Sequence, residues 1–166
     1  MDARTGRRQK RISKRQERQV ATDLKGRTQA NSGATRLGGG ADVRVLGDTR
    51  VECKYTENAQ YVLRLLELEK LNKQAIQSLE EPVLQFAFCD RSGRFDRYAV
   101  VKWQGKDAPG TEWGHARMQI TVHPDEVATA LLNGRIQVCF VDKKGLYWKY
   151  EIMRWEDYLA KRESDA

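Results

Sequence analysis

GGGADVRVLGDTRVECKY, residues 38–55, reads as a glycine-rich approach to two short strands joined by a tight turn. Side chains alternate along a strand, so Glu52 and Lys54 share one face. The hairpin register decides whether Asp42 joins them. A two-residue loop of Gly47 and Asp48 would pair Val43 with Glu52 and mix polar and apolar side chains on both faces. A three-residue loop of Leu46, Gly47 and Asp48 pairs Val43 with Val51, Val45 with Thr49 and Asp42 with Glu52, which separates the faces. The expected arrangement therefore has Asp42, Glu52 and Lys54 on one face, with Val43, Val45, Val51 and Cys53 on the other. Arg44 and Arg50 fall on the acid face, where they would border the site as phosphate contacts.

Two carboxylates beside a lysine suit a hard divalent cation and a phosphate. Mg²⁺ takes oxygen ligands from one or two carboxylates and keeps several waters, so Asp42 and Glu52 would suffice. Lys54 would stabilise phosphate charge or orient a water made acidic by the metal. Taken alone, the same spacing also describes an exposed hairpin face with ordinary charges, and the rest of the chain supplies the context.

Apolar residues make up 40% of the 166, with four Trp, six Tyr and four Phe, enough for one domain with a real core. There is no apolar run of membrane-spanning length and no apolar segment near the basic N-terminus. Neither a membrane span nor a secretory signal is expected, and the location expected is cytoplasmic. Cys53, Cys89 and Cys139 are odd in number, widely spaced and set in apolar stretches, as reduced core thiols are. Residues 1–20 hold eight Lys or Arg against Asp2 and Glu17, whereas the rest of the chain is close to balanced. Such an arm, with no large apolar residues for a membrane surface, points to a polyanion, nucleic acid above all.

Along the chain, residues 1–11 read as a disordered basic arm. A helix from Ser13 to Gly26 follows, with Glu17, Val20, Ala21 and Leu24 along one side and Glu17 a ready partner for neighbouring arginines. Residues 27–40 form a polar, glycine-rich loop. After the hairpin come an extended piece at 61–65, a helix at 66–79 with Leu68, Leu71, Ala75 and Leu79 inward, and a central strand from Pro82. A turn at 91–94 then leads to an antiparallel neighbour, FDRYAVVKW. Residues 104–113 read as a polar loop, 117–123 as a strand and 124–132 as a helix. A hairpin at 135–153 turns around Asp142 to Gly145, and a closing helix spans 155–162. Core packing is the expected use of Phe140, Tyr147, Trp148 and Tyr150, with base stacking the alternative. The fold class is α/β, a mixed sheet flanked by helices.

The order ERQVATDL, NSGAT, GADVRV, VECKYT, YVLRLLELEKLNKQA and PVLQFAF, over roughly residues 12–103, resembles the PD-(D/E)xK nuclease superfamily, and within it the archaeal and phage Holliday junction resolvases. Ala41 stands where the superfamily name has Pro. The resemblance implies a restriction-endonuclease-like core at 12–103; it does not reach residues 104–166, which are expected to form a C-terminal α+β extension packed on that core. It implies that Asp42 and Glu52 hold metal, that Lys54 is the catalytic lysine and that Glu17 reaches the same site. Ser32 matches a loop serine near the active site, and Gln74 stands where some members place a glutamine. The function implied is a Mg²⁺-dependent endodeoxyribonuclease, with Mn²⁺ as substitute, that cleaves four-way junctions as a homodimer; a phage-encoded copy would work in the host cytoplasm. Arg11, Lys14 and Arg15 of the arm, with Arg36, would clamp the DNA backbone. A nuclease for linear or flapped DNA and a non-catalytic DNA-binding protein are the alternatives.

Overall fold

The structure, a computed structural model, describes residues 3–29, 41–103, 112–132 and 136–164. Strands β2 (Val43–Val45) and β3 (Thr49–Thr56) form the hairpin, with Val43 opposite Val51, Arg44 opposite Arg50 and Val45 opposite Thr49. This is the register that separates the faces. Its three-residue loop closes with the Asp48 amide on the Val45 carbonyl at 3.1 Å, and Gly47 takes the left-handed conformation with φ +71°, which costs glycine little. The ladder stops at Val43, and the Asp42 amide donates to the Val51 carbonyl at 3.0 Å.

The other strands are β1 (Arg27–Thr28), β4 (Tyr61–Arg64), β5 (Glu81–Cys89), β6 (Phe95–Lys102), β7 (Glu112–Ala116), β8 (Gln119–Val122), β9 (Ile136–Val141) and β10 (Tyr147–Arg154). The helices are α1 (Ala3–Asp23), α2 (Leu65–Ile76), α3 (Pro124–Leu132) and α4 (Trp155–Ser164). Eight strands form one sheet in the order β1-β2-β3-β5-β6-β10-β9-β7, and β4 pairs with β8 in a separate ribbon. Strand β3 is parallel to β5, and the connection through β4 and α2 supplies the long crossover that parallel neighbours require. With β7 parallel to β9 and the remaining neighbours antiparallel, the sheet is mixed, as expected.

Alternation along the strands divides the core into two layers. Leu84, Phe86, Tyr98, Val100, Val138, Phe140, Tyr150 and Ile152 pack with Leu65, Leu68 and Leu71 of α2 and Val127 of α3. On the opposite face, Val51, Cys53, Val83, Ala99, Val101 and Met153 pack with Val20, Ala21 and Leu24 of α1 and with Trp155 and Tyr158 of α4. Tyr61 stacks on Phe86 with ring centroids 4.8 Å apart. Phe140 and Tyr150 are buried and Tyr147 is exposed, so the hairpin aromatics divide between core and surface. No helix among the described residues is long and apolar enough to cross a membrane.

Several features differ from expectation, among them Leu79, which lies beyond the end of α2 and is exposed, and β1, which opens the stretch read as a loop at 27–40. Helix α1 starts at Ala3, so most of the segment read as a disordered arm is helical. Its Arg, Lys and Gln are good helix formers, and it is anchored where Ile12 is buried and where the Tyr55 hydroxyl donates to the Gln9 carbonyl at 3.0 Å. The stretch read as a polar loop at 104–113 runs into β7, which lacks clear alternation. β10 pairs with β6 and extends the same sheet, as the buried Val100 and Val101 of β6 require.

Candidate active site

Because β3 alternates, Val51 and Cys53 enter the layer under α1 while Glu52 and Lys54 point toward α2. Lys54 Nζ donates to Glu52 Oε1 at 2.7 Å, and the two side chains are 39% and 22% exposed. Asp42 is buried, and its Oδ2 accepts the Cys53 amide at 2.8 Å. Cys53 lies between Glu52 and Lys54, so this bond pins the Asp42 carboxylate beside the segment that carries both.

Burial raises the Glu52 carboxyl above its ordinary value of 4.5, and the Asp42 charge adds to the rise, while the Lys54 hydrogen bond and charge and Lys70 oppose it. Burial disfavours the Lys54 ammonium, but the Glu52 hydrogen bond and the charges of Glu52, Asp42 and Glu67 outweigh it and raise its pKa. Burial, then the charges of Asp42, Glu17 and Glu52, push the Cys53 thiol well up, so it stays protonated as a core group. Tyr61 is also pushed above the usual phenol range, first by burial and then by the Glu67 charge.

From α2, Lys70 acts on Glu52 and Glu67 on Lys54. With Gln74 they stand at positions i, i+3 and i+7, one helical stripe. Gln74 is half-buried, and its carbonyl accepts the Ser78 hydroxyl at 3.4 Å. Gln16 was overlooked. Fully buried, it donates to the Lys54 carbonyl at 2.8 Å and to Gln85 Oε1 at 2.5 Å, tying α1 to the strand behind Lys54. A polar residue in line with Ile12, Val20 and Leu24 was its legible signal.

Asp42, Glu52 and Lys54 are thus brought together. Glu17 is half-buried on α1, where it accepts the Ser13 hydroxyl at 2.9 Å. That helix covers the other face of the sheet, and no group of three acidic, His or Cys side chains suited to a metal occurs among the described residues. The donor set that fits a hard divalent cation is the carboxylate pair Asp42 and Glu52; burial and then the Asp42 charge raise Glu52, and a bound cation would relieve the repulsion between them.

Of the expected DNA contacts, Arg11 and Lys14 are exposed on α1. Arg15 is engaged within the protein, donating to the Gly93 carbonyl and lying 4.7 Å above the Phe95 ring. Ser32 and Arg36 lie outside the described residues. Arg44 and Arg50, expected as phosphate contacts, are placed by the structure against Glu80. Arg44 Nη2 lies 2.5 Å from Glu80 Oε1, Arg50 Nε lies 2.9 Å from Oε2, and Arg50 is only 2% exposed. Two cations opposite each other on neighbouring strands need a shared anion, and Glu80, immediately before β5, supplies it.

Burial alone would raise the Glu80 carboxyl, but the hydrogen bonds and charges of Arg44 and Arg50 hold it below its ordinary 4.5. A depressed carboxylate contributes stability above its unfolded pKa and loses it as the pH falls through the folded value. In urea unfolding, stability should therefore decline below about pH 4.5, with a smaller decline in Glu80→Gln. An equal decline in both proteins would remove Glu80 as a source.

No family model, no curated protein and no solved structure matches the chain. The fold defines its class as mixed α/β, with helices on both faces of one sheet, and the site is defined by its own chemistry.

Proposed function

We propose that the protein is a metal-dependent endodeoxyribonuclease of restriction-endonuclease-like fold that acts on branched DNA, with the four-way junction as its substrate. The observation that carries this reading is the cluster of Asp42, Glu52 and Lys54, in which Asp42 accepts the Cys53 amide between the other two and Lys54 pairs with Glu52. The exposed cations of α1 give a phosphodiester reason to be near. Asp42 and Glu52 would hold Mg²⁺ or Mn²⁺. Bound there, the cation supplies Lewis acidity to a phosphoryl oxygen and lowers the pKa of a water. Lys54, kept cationic by its surroundings, stabilises the charge that develops on the phosphate. Gln16 and the Asp42 bond to the Cys53 amide hold the β3 backbone so that both side chains keep their places. Symmetric nicking of a junction would need two such sites about a twofold axis, which a C2 homodimer provides.

The internal Glu52–Lys54 ion pair favours a second reading, since it partly neutralises the site without metal: a DNA-binding protein with no catalytic activity. The test is the product pattern on an end-labelled four-way junction with Mg²⁺, beside flap and duplex substrates. Paired symmetric nicks are the expected result. Cleavage of flap or duplex in preference would keep the chemistry and replace the substrate. Binding without product in Mg²⁺ or Mn²⁺ would remove the nuclease reading.

A further inference from the structure

Helix α1 ends in a turn that gathers three cations around one concavity. The turn closes with the Lys25 amide on the Thr22 carbonyl at 3.1 Å and the Gly26 amide on the Ala21 carbonyl at 2.8 Å. Lys25 takes the left-handed position, φ +53°, that glycine usually fills at a helix end. Glycine comes one residue later because a Cβ on Gly26 would lie 2.9 Å from the Arg44 carbonyl oxygen. Strand β1 then runs along β2, with Arg27 opposite Arg44 and Thr28 opposite Val43, and the Gln29 amide donates to the Asp42 carbonyl at 2.8 Å. Between the helix end and β1 lies an open groove of about 640 Å³, lined chiefly by Arg18, Thr22, Lys25, Arg27 and Thr28.

Arg18, Lys25 and Arg27 are exposed, and none forms an ion pair among the described residues. A helix C-terminus favours a nearby cation, which accounts for Lys25. It does not account for Arg18, more than a turn earlier, or for Arg27, which stands on β1. Three like charges around one concavity repel each other and concentrate anions. Among the described residues no aromatic ring lines the groove, and so none of them offers a platform for stacked bases; its open shape and the Thr28 hydroxyl suit a continuous phosphate chain.

We propose that this groove is a binding subsite for the phosphodiester backbone of duplex DNA, seated on the strand that leads to Asp42. It rests on the reading that Asp42 belongs to a site for DNA. The test measures binding of a fluorescein-labelled duplex in EDTA at several salt concentrations, so that cleavage plays no part. Lys25→Gly removes a charge while relieving the left-handed backbone, so it should fold at least as well as the natural chain. Its log K against log[salt] slope should be shallower by about 0.9, and that of Arg18→Gln/Lys25→Gly/Arg27→Gln by about three times as much. Unchanged slopes, or no duplex binding by the natural protein, would overturn the groove. Shallower slopes in a protein that never yields product would leave the groove standing and remove the nuclease. Product with unchanged slopes would do the reverse.

Discussion

Glu80→Gln is expected to lower the folding free energy by about 3–5 kcal/mol, the range for removing one partner of a buried ion pair. Glutamine nearly matches glutamate in volume, so no cavity opens and the loss is electrostatic. Arg44 and Arg50 face each other across β2 and β3, and Glu80 is the anion they share. Without its charge, a guanidinium that is 2% exposed stays in the protein beside a second cation. For a domain of this size each kcal/mol moves Tm by roughly 2–4 °C, so calorimetry should record a fall on the order of 10 °C. A fall of only a degree or two would show that Arg50 reaches solvent or another anion at little cost.

The second large effect is on activity. If the site hydrolyses DNA as proposed, Glu52→Gln should slow single-turnover junction cleavage on the order of 10³-fold or more, because it removes a metal-holding charge that a neutral amide does not replace. Lys54→Ala should act similarly by removing the cation beside the phosphate. Stability should behave oppositely to the Glu80 case. Burial and Asp42 already disfavour the Glu52 carboxylate, so its neutral replacement should stay within about 1 kcal/mol of the natural chain, as happens when a site holds groups at the expense of stability. DNA binding in EDTA should change little. Normal cleavage by either variant would end the catalytic assignment.

The hairpin was legible because a one-residue slip would have moved Val43 and Val51 onto the polar face, so apolar pairing chose the register. The same logic found β5, β6, β9 and β10, whose apolar runs are bounded by turn residues. It found Asp42, Glu52 and Lys54 as neighbours but not the partner of Arg44 and Arg50. Facing the acid side said nothing of Glu80, which lies about thirty positions away and arrives only when β5 pairs in parallel with β3. Gln16 was missed for a related reason, since its partners are a backbone carbonyl and a side chain on other strands. The first turns of α1, up to Arg11, looked like a tail because their charge hides the anchoring Ile12 that follows, and β7 carries too little alternation to read.

The position of β10 between β6 and β9 bears on how the chain is made. A ribosome delivers β6, ending at Lys102, well before β10, ending at Arg154, and at about 5–20 residues per second the interval lasts several seconds. Throughout it, the β6 edge has no permanent neighbour, and its row of unpaired amides and carbonyls is open to strands of other nascent chains. The hairpin of β9 and β10 is therefore what ends this vulnerable interval, because β10 is the strand that pairs with β6.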